Sequence, residues 1–477
     1  MSTPPQSLLD RLIRSLALSS FARFITDTRG SIAIQFGLLA ICIIVMAGGA
    51  IDYARIAAIR NALQAASDAA ATASVSKTSV GYITAQKMIQ DGSVPAGQTD
   101  ALNIFSSNAS SPLKSLSNAT ATLSSNATVT KSGLTVTSTL TYITNVPTVF
   151  LGIIGIPTWT VSGTSQAQSL LSAYIDFYLM IDVSGSMDFP STPGEQARLA
   201  AINPDNRLLY PNGCLVACHY STSSGYTLSR NGGNTLNTPV TYCQTAGTSA
   251  CIQLRTDAVS GAIISFLQTA NSSARVANQY RVGLYPFISY LWNYYPLTAN
   301  ISAPATTAGS LAAAATTLSS LSDDGYDPNL GAGGTHFENA FPKMNQNIAS
   351  VGNGSSSAST IPFVFLITDG SQNNQYYSNG FYGSNVPTTV DPSYCATLKN
   401  RGIKISILYI PYLPIPNPTS FGNNEDINAN ANIPYIPGAL QSCASVGFFF
   451  TANSPADITN ALNAMFYQAV NSTRLMK

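Results

Sequence analysis

Three oxygen-bearing side chains stand at alternating positions where an apolar run ends: Asp182, Ser184 and Ser186. The mostly apolar run 174–181 predicts a buried strand, and alternating residues of a continuing strand would share one face. They can close around one ion only if the chain turns after Asp182, which Gly185 permits. Carboxylate and hydroxyl oxygens, without sulfur or imidazole, favour a hard cation such as Mg²⁺ over zinc.

Two later segments strengthen this interpretation. Thr335 follows two glycines and adds a hydroxyl in a flexible loop, and a second apolar run, 361–368, ends at Asp369. A D-x-S-x-S string alone is weak evidence in a serine-rich chain, but a motif of several parts in its predicted context is far more specific. The alternative is that Asp182 and Ser186 only cap a turn or a helix.

The order, strand contexts and spacing of these segments resemble the von Willebrand factor A domain and its metal-ion-dependent adhesion site (MIDAS). The resemblance implies an α/β fold, a doubly wound and mainly parallel sheet with helices on both faces, and a metal at the carboxyl ends of its strands. It implies that Ser184, Ser186 and Thr335 contact the metal directly or nearly so, and that Asp182 and Asp369 bind it directly or through water.

The resemblance also implies what the metal does. One coordination position is left for a carboxylate of a protein partner, which completes an octahedron that Mg²⁺ otherwise fills with water. We therefore expect a divalent cation, Mg²⁺ before Mn²⁺ or Ca²⁺, as the cofactor.

Charge and composition limit the classes of function. The chain has 477 residues, enough for two or three domains, a formal net charge of +1 and only 9% charged residues. No basic excess exists to neutralise phosphates, so a nucleic-acid partner is not expected. A surface built from Ser, Thr, Asn, Gln, Tyr and Gly is typical of an extracytoplasmic protein.

The cysteines point to an oxidising compartment. Cys42 lies in an apolar segment, and the other six form an even set that predicts disulfides. We expect local bridges within 214–251 and a Cys395–Cys443 bridge, although spacing alone leaves the connectivity open. A zinc site at Cys214-x-x-x-Cys218-His219 is the alternative, but the spacing fits no complete zinc pattern. The six cysteines are Cys214, Cys218, Cys243, Cys251, Cys395 and Cys443.

The N-terminal region predicts a membrane anchor. The leader 1–29 carries more arginines than the residues just after the apolar segment 30–52. Its leucines recur at helical spacing, which predicts a helix on the membrane surface; a disordered cytoplasmic tail is the alternative. The segment 30–52 has no charge from Ser31 to Ile51, long enough for one transmembrane helix. The positive-inside rule places the leader in the cytoplasm and the remainder in the periplasm or at the cell surface.

This region has a second resemblance. Arg29-Gly30 before an apolar helix, then Asp52-Tyr53-Ala54-Arg55, then the ALQAASDAAA run from Ala62, are similar to TadE/TadG-like proteins of tight-adherence (Flp) pilus systems. The resemblance implies a helical stalk over 53–76 and an anchor in a bacterial inner membrane. Gln35 stands where processed members usually have glutamate, so we expect no cleavage after Gly30.

The remaining chain divides into two parts. Alternating Ser, Thr and Val over 77–172 predict a β-rich module or spacer, whose apolar run around 149–156 is either a buried patch or a membrane-proximal loop. The part 173–477 is the predicted A domain. Its predicted inserts lie at about 189–252, 289–330, 371–390 and 411–438, the last interpreted as loop because it is rich in Pro and Asn.

Within the A domain we expect helices over 254–270 and 392–401 and strands over 280–288 and 403–410. A closing helix is expected over 454–470, with Ser454 as its cap and Pro455 in its first position. His336 is interpreted as an incidental loop histidine. Four aspartates are interpreted as solvated loop residues and not as ligands: Asp188, Asp323, Asp324 and Asp327.

These features favour a membrane-anchored envelope protein of a Flp pilus assembly system that binds a protein partner through its metal site. The alternative is a surface adhesin or structural envelope protein, unrelated to pili, that uses the same metal site. An enzyme and a small-molecule substrate are not expected, because the chain has two histidines and lacks the G-x-S-x-G, G-K-[ST] and H-E-x-x-H motifs.

Overall fold

A computed structural model describes residues 31–114, 123–202, 219–221, 227–229, 243, 246–247, 251–321, 327–377, 381–382, 386–415, 418 and 421–473. The predicted leader, Gly30, Asp323 and Asp324 lie outside these residues. The chain forms two compact units. The first comprises 1–84, 93–130 and 136–169, and the second comprises 85–92, 131–135 and 170–477.

A long helix and a four-stranded sheet characterise the N-terminal part of the chain. Its elements are α1 Ser31–Ser74, α2 Val80–Lys87, β1 Gly92–Ser93, α3 Pro95–Lys114, β2 Ser124–Ser132, β3 Thr135–Pro147 and β4 Thr158–Leu170, with the strands in the order β1-β2-β3-β4. From Gln35 onward, α1 is long and apolar enough to cross a membrane, judged by length and composition. Its side chains in this stretch are mostly exposed, for example Phe36 and Met46.

The predicted helical stalk is part of a packed core. Along α1, Ile56, Ile59 and Leu63 are buried against Phe105 and Tyr142 in one hydrophobic cluster. The structure also differs from the predicted β-rich module, because α2 and α3 occupy its first half. Strong helix formers are few in α3, and it is held by packing of Ala101, Phe105 and Ala109, which recur every four residues on one face.

The second unit is built on a six-stranded sheet. The strands are β5 Ile175–Asp182, β8 Tyr280–Phe287, β9 Tyr295–Thr298, β10 Ile361–Thr368, β15 Lys404–Tyr409 and β16 Phe449–Thr451. Their spatial order is β16-β15-β10-β5-β8-β9, and they are parallel except for the edge strand β9. The chain starts at the central strand β5, extends to one side through β8 and β9, then returns to β10 and extends to the other. This order confirms the predicted doubly wound sheet.

Helices cover both faces of this sheet. On β5, Phe177 and Leu179 belong to one core cluster, whereas Tyr178 and Met180 belong to the cluster on the opposite face, as expected from strand alternation. The helices are α4 Pro193–Ile202, α5 Arg255–Ser273, α6 Leu311–Thr316, α7 Phe337–Asn347, α8 Pro392–Asn400, α9 Phe421–Asn432, α10 Ile436–Cys443 and α11 Pro455–Ser472. Short strand pairs complete the unit: β6 His219–Ser221 with β7 Thr227–Ser229, β11 Ser371–Gln372 with β14 Thr388–Thr389, and β12 Tyr376–Tyr377 with β13 Phe381–Tyr382.

Most predicted elements of this unit are confirmed, including the closing helix, where the Ser454 hydroxyl accepts the Asp457 N–H at 3.2 Å. The predicted insert 289–330 contains β9, a four-residue edge strand of the main sheet. One interpretation was wrong. The predicted loop 411–438 contains α9 and the start of α10. Its prolines include Pro437 in the first turn of α10, where a missing N–H costs nothing.

Two disulfides are present in the described chain. Cys395 on α8 and Cys443 at the end of α10 are bonded and fully buried, which confirms the predicted bridge. Cys243–Cys251 is the second and lies within the predicted range. Cys42 is a free, exposed thiol. Cys214 and Cys218, and with them the alternative zinc site, lie outside the described residues.

The Cys395–Cys443 bridge closes a longer loop than the Cys243–Cys251 bridge, with sequence separations of 48 and 8. Replacing Cys395 and Cys443 with alanine should lower the free energy of unfolding by about 2–4 kcal/mol, because the unfolded chain regains the entropy of that loop. Urea unfolding under non-reducing conditions measures this loss. Replacing Cys243 and Cys251 is the matched control and should cost less. Equal losses from the two double variants would contradict this account.

Candidate metal centre

The predicted carboxylates come together in the middle of the sheet. Asp182 is the last residue of β5, and Asp369 directly follows β10, its neighbour. The chain leaves β5 toward one sheet edge and returns to β10 before it extends toward the other. The crevice between two such strands is where doubly wound sheets bind ligands, at the carboxyl ends of the strands.

A tight turn after β5 brings both serines to Asp182. A single 3-10 turn, Gly185–Asp188, follows Ser184. The backbone N–H and the hydroxyl of Ser184 donate to Asp182 Oδ1 at 3.0 and 2.6 Å, and the hydroxyl oxygens of Ser184 and Ser186 lie 3.3 Å apart. The three side chains therefore converge by turning, as the spacing predicted.

Thr335 reaches the same cluster from a separate loop. Its hydroxyl donates to Ser184 Oγ at 2.9 Å, and its backbone pairs with Asn373 just beyond β10. The loop can approach so closely because Gly334 has a φ of 71°, and a Cβ there would lie 2.1 Å from the Asn373 carbonyl oxygen. Gly334 therefore fits where any other residue would clash.

Asp369 completes the group. Its carboxylate is fully buried, and the nearby Ser186 side chain opposes the rise in its pKa that burial causes. Ser184 is hydrogen-bonded to three of the other predicted ligands, and the charge of Asp369 acts on Asp182. The structure therefore brings all five predicted ligands together: Asp182, Ser184, Ser186, Thr335 and Asp369. Within the described residues, no three His, Cys, Asp or Glu side chains come together, so a metal at this site would depend on hydroxyl oxygens.

Burial dominates the electrostatics of the two carboxylates. Burial and then the charge of Asp369 raise the pKa of Asp182 to about 7, against the hydrogen bonds from Ser184 and Thr368. Burial also raises the pKa of Asp369, against the nearby charge of Arg255. The Arg255 guanidinium is a positive charge close to this pair of carboxyl groups. A divalent cation fits the site because its charge would balance the carboxylates, and because hard cations prefer carboxylate and hydroxyl oxygens as ligands.

Two residues of the site were missed from the sequence. Thr368 donates its hydroxyl to Asp182 Oδ2 at 2.6 Å. The Arg255 guanidinium lies 3.5 Å from Asp369 Oδ2, donates to the Pro411 carbonyl at 2.9 Å and stacks over the Phe189 ring at 5.1 Å. Arg255 is the first residue of α5, and the helix dipole disfavours a positive charge at a helix N-terminus. An arginine at this position of the predicted helix could therefore have indicated a nearby anionic group.

One interpretation of a nearby residue was wrong. Asp188 is buried, not solvated, and accepts from the Thr256 hydroxyl at 3.3 Å. His336 directly precedes α7 and is buried, and its two ring nitrogens lie 2.7 Å from a Glu338 carboxylate oxygen and 2.7 Å from the Gln375 carbonyl oxygen. Its interpretation as an incidental histidine stays a prediction. Asp327 is a half-buried loop residue that accepts backbone N–H groups of its own loop.

The raised pKa of Asp182 predicts a pH dependence in EDTA. A folded-state pKa of about 7, above the ordinary 3.8, means that the folded state keeps a proton that the unfolded state releases. This contribution to stability is complete below pH 4 and is lost as the pH rises to about 7. At pH 8 we therefore expect Asp182→Asn to melt at a higher temperature than the wild type, and at pH 5 to melt at a similar temperature.

Calorimetry in EDTA at both pH values measures this difference. Asp327→Asn is the matched control, because its carboxylate lies outside the cluster and should change both melting temperatures equally. An Asp182→Asn variant that is less stable than the wild type at pH 8 would contradict the raised pKa.

The N-terminal segment matches a known family. Residues 30–77 match a family model of TadE/G-like proteins of Flp pilus assembly, which confirms the second resemblance. No protein in a search of curated proteins matches the chain.

Solved structures resemble the chain at low identity. They include the PilB minor pilin from Streptococcus sanguinis (10% identity, TM-score 0.33, 74% of this chain and 79% of that chain). BatB from Bacteroides thetaiotaomicron has 13% identity and a TM-score of 0.31, over 62% of this chain and 99% of that chain. The vWF domain of the type V pili tip protein Mfa5 from Porphyromonas gingivalis has 10% identity and a TM-score of 0.32, over 63% of this chain and 96% of that chain.

Proposed function

Because residues 30–77 match TadE/G-like proteins of Flp pilus assembly, we propose that this chain is an envelope protein of a tight-adherence pilus system. The exposed apolar side chains of α1 support a single-pass anchor in the bacterial inner membrane. The arginines before this segment favour a cytoplasmic N-terminus, with the folded units in the periplasm or at the cell surface.

We propose further that the five-residue cluster binds a divalent cation, with Mg²⁺ preferred and Mn²⁺ or Ca²⁺ as alternatives. The observation that carries this proposal is the convergence of two fully buried carboxylates with three hydroxyls at one point of the sheet. Asp182 and Asp369 would supply charge, and Ser184, Ser186 and Thr335 would supply neutral oxygens. The bound cation would supply the positive charge that attracts a further carboxylate.

We propose that this further carboxylate belongs to a protein partner, a pilus component or another envelope protein. The loops that follow β5 and β10 surround the crevice, which is where a binding surface belongs. The proposed role is binding and not a reaction, because the sequence lacks the G-x-S-x-G, G-K-[ST] and H-E-x-x-H motifs.

A chromosomal Asp182→Asn substitution tests this function in the source bacterium. We expect normal amounts of membrane-bound protein and a loss of surface pili, counted by electron microscopy, because the partner can no longer be held through the cation. Asp327→Asn, a carboxylate outside the cluster, should leave the pili unchanged.

The same strains distinguish the alternative function. Normal pili with a loss of cell adherence would favour a pilus-independent adhesin that uses the same cluster. Normal pili and normal adherence in the Asp182→Asn strain would overturn the proposed role of the metal centre.

A further inference from the structure

The connection between β3 and β4 ends in an exposed apolar tip, which we define as residues 148–157. Val149, Ile153 and Ile154 are 59%, 75% and 51% exposed. Within the described chain these are among the most exposed large apolar side chains outside α1. The chain carries no charged residue between Lys131 and Asp176, so no charged side chain of this hairpin opposes contact of its tip with lipid.

Contacts along α1 show which end of the hairpin lies nearest the predicted membrane. Far from the tip, Ser138 bonds Ser74 of α1 at 2.9 Å. Midway along the hairpin, the Tyr142 hydroxyl donates to Gln64 of α1 at 3.2 Å. The β3 strand therefore runs along α1 toward its apolar half.

The tip itself packs beside the end of the apolar segment. Phe150 lies so close to Gly48 of α1 that a Cβ on that glycine would meet its ring at 2.4 Å, and Leu151 lies beside Gly49. Gly48 is 17 residues beyond Ser31, roughly 26 Å along a helix, and the hydrocarbon layer is about 30 Å thick. The tip is therefore level with the border of that layer.

Three backbone N–H groups of the tip are hydrogen-bonded within the protein. The carboxylate of Asp52 accepts the N–H groups of Val149, Phe150 and Leu151 at 2.8–3.2 Å. Each backbone N–H group that entered lipid without a hydrogen-bond acceptor would cost several kcal/mol. Asp52 supplies the acceptor that water would otherwise have to supply.

Two exposed aromatic side chains lie at this level, Tyr53 on α1 (68% exposed) and Trp159 at the start of β4 (45% exposed). Tyrosine and tryptophan concentrate where lipid headgroups meet acyl chains.

From these contacts we propose that the tip enters the lipid bilayer that α1 spans, in the leaflet on the side of the folded units. The exposed apolar surface of the tip is continuous with that of α1, so one bilayer covers both. The tip and α1 form a two-point attachment, which fixes the rotation of the N-terminal unit about the axis of α1. This proposal depends on α1 as a membrane span and is independent of the metal centre.

Fluorescence of Trp159 tests the proposal in the full-length chain. Trp292→Phe removes the other tryptophan, and the protein is reconstituted at low density into vesicles of phosphatidylethanolamine and phosphatidylglycerol. Flotation with the vesicles first establishes that α1 is inserted. We expect lipids brominated on the acyl chain near the headgroup to quench Trp159 strongly, and aqueous iodide to quench it weakly.

Matched substitutions on the same hairpin locate the effect. Ile153→Asp at the tip should abolish quenching by bromolipid, because a carboxylate is excluded from the acyl region. Ile143→Asp should leave the quenching unchanged, since Ile143 is 50% exposed on β3 beside the residue that contacts Gln64, far from the membrane.

Three results would overturn the proposal while flotation remains normal. One is Trp159 that is fully open to iodide and unaffected by bromolipid. Another is equal quenching in the wild type and in Ile153→Asp. The third is protection of Trp159 that appears only at high protein density, which would show that a second copy of the chain covers the tip. Failure of flotation would instead overturn α1 as a membrane anchor.

Discussion

Mg²⁺ at pH 8 is expected to raise the melting temperature of the full-length protein relative to EDTA, and Asp182→Asn is expected to abolish that rise. A ligand that binds only the folded state stabilises it by about 2.7 kcal/mol when its free concentration is 100 times its Kd. For a unit as large as the second one, such a gain corresponds to roughly 4 °C. The ion binds only the folded state because its five ligands come from three separate segments of the chain.

The comparison of variants makes this test specific. Asp369→Asn should also abolish the response, since it removes the second carboxylate, and Thr335→Val should weaken it by removing one neutral oxygen. Asp327→Asn should keep the full response. Equal melting temperatures of the wild-type protein in Mg²⁺ and in EDTA would eliminate the proposed metal, and a response retained by Asp182→Asn would place the ion elsewhere.

The second large effect concerns Arg255. In EDTA, Arg255→Met is expected to lower the free energy of unfolding by about 3–5 kcal/mol, because it leaves the buried Asp369 carboxylate without its cationic neighbour. The variant also loses the hydrogen bond to the Pro411 carbonyl and the contact with the Phe189 ring. In Mg²⁺ the loss should be clearly smaller, because a bound cation neutralises the same carboxylate.

Urea unfolding with and without Mg²⁺ measures this difference. Arg281→Met is the matched control, since Arg281 on β8 forms a bidentate pair at 2.6–2.7 Å with Asp176 on β5, the strand that also carries Asp182. Asp176 lies six residues before Asp182, about 20 Å away along β5. The decrease in the free energy of unfolding caused by Arg281→Met should therefore be the same in Mg²⁺ and in EDTA. An Arg255→Met penalty that Mg²⁺ does not change would show that Arg255 acts only as a packing residue.

Together the two experiments separate charge from structure at this site. Arg255 and the proposed cation act on the same carboxylate from different directions, so their contributions should not be additive. The Asp369 carboxylate can be neutralised by the fixed guanidinium, by the ion, or by a proton, whose uptake its raised pKa favours. We therefore expect the stability of the second unit to depend on pH and on divalent cations together.

Local patterns in the sequence determined much of this architecture. The runs that became β5 and β10 are mostly apolar, which is typical of strands buried on both faces, and each ends at a polar boundary where a parallel strand emerges from the core. The positions of Asp182, Ser184, Ser186 and Asp369 followed from these boundaries, and that of Thr335 from its Gly-Gly-Thr loop. The helix α11 was similarly predictable, because its cap Ser454 and the following proline are local signals.

The elements that the sequence did not reveal are those held mainly by distant contacts. The edge strand β9 has only four residues and pairs with one neighbour, and α9 and α10 lie in a stretch whose prolines and asparagines favour loops. In α3, burial of Phe105 against α1 compensates for weak helix propensity. Propensity is a weak guide wherever tertiary packing supplies most of the stability.

The amino-acid sequence alone thus determined which residues could bind an ion, where the chain could cross a membrane and that Cys395 and Cys443 could be bridged. Only the tertiary structure decided that Arg255 faces Asp369, that Asp188 and His336 are buried, and that the 148–157 tip lies beside Gly48. The physical reason is sequence separation. Arg255 and Asp369 are 114 residues apart, and no local pattern encodes which of many possible partners a buried charge will meet.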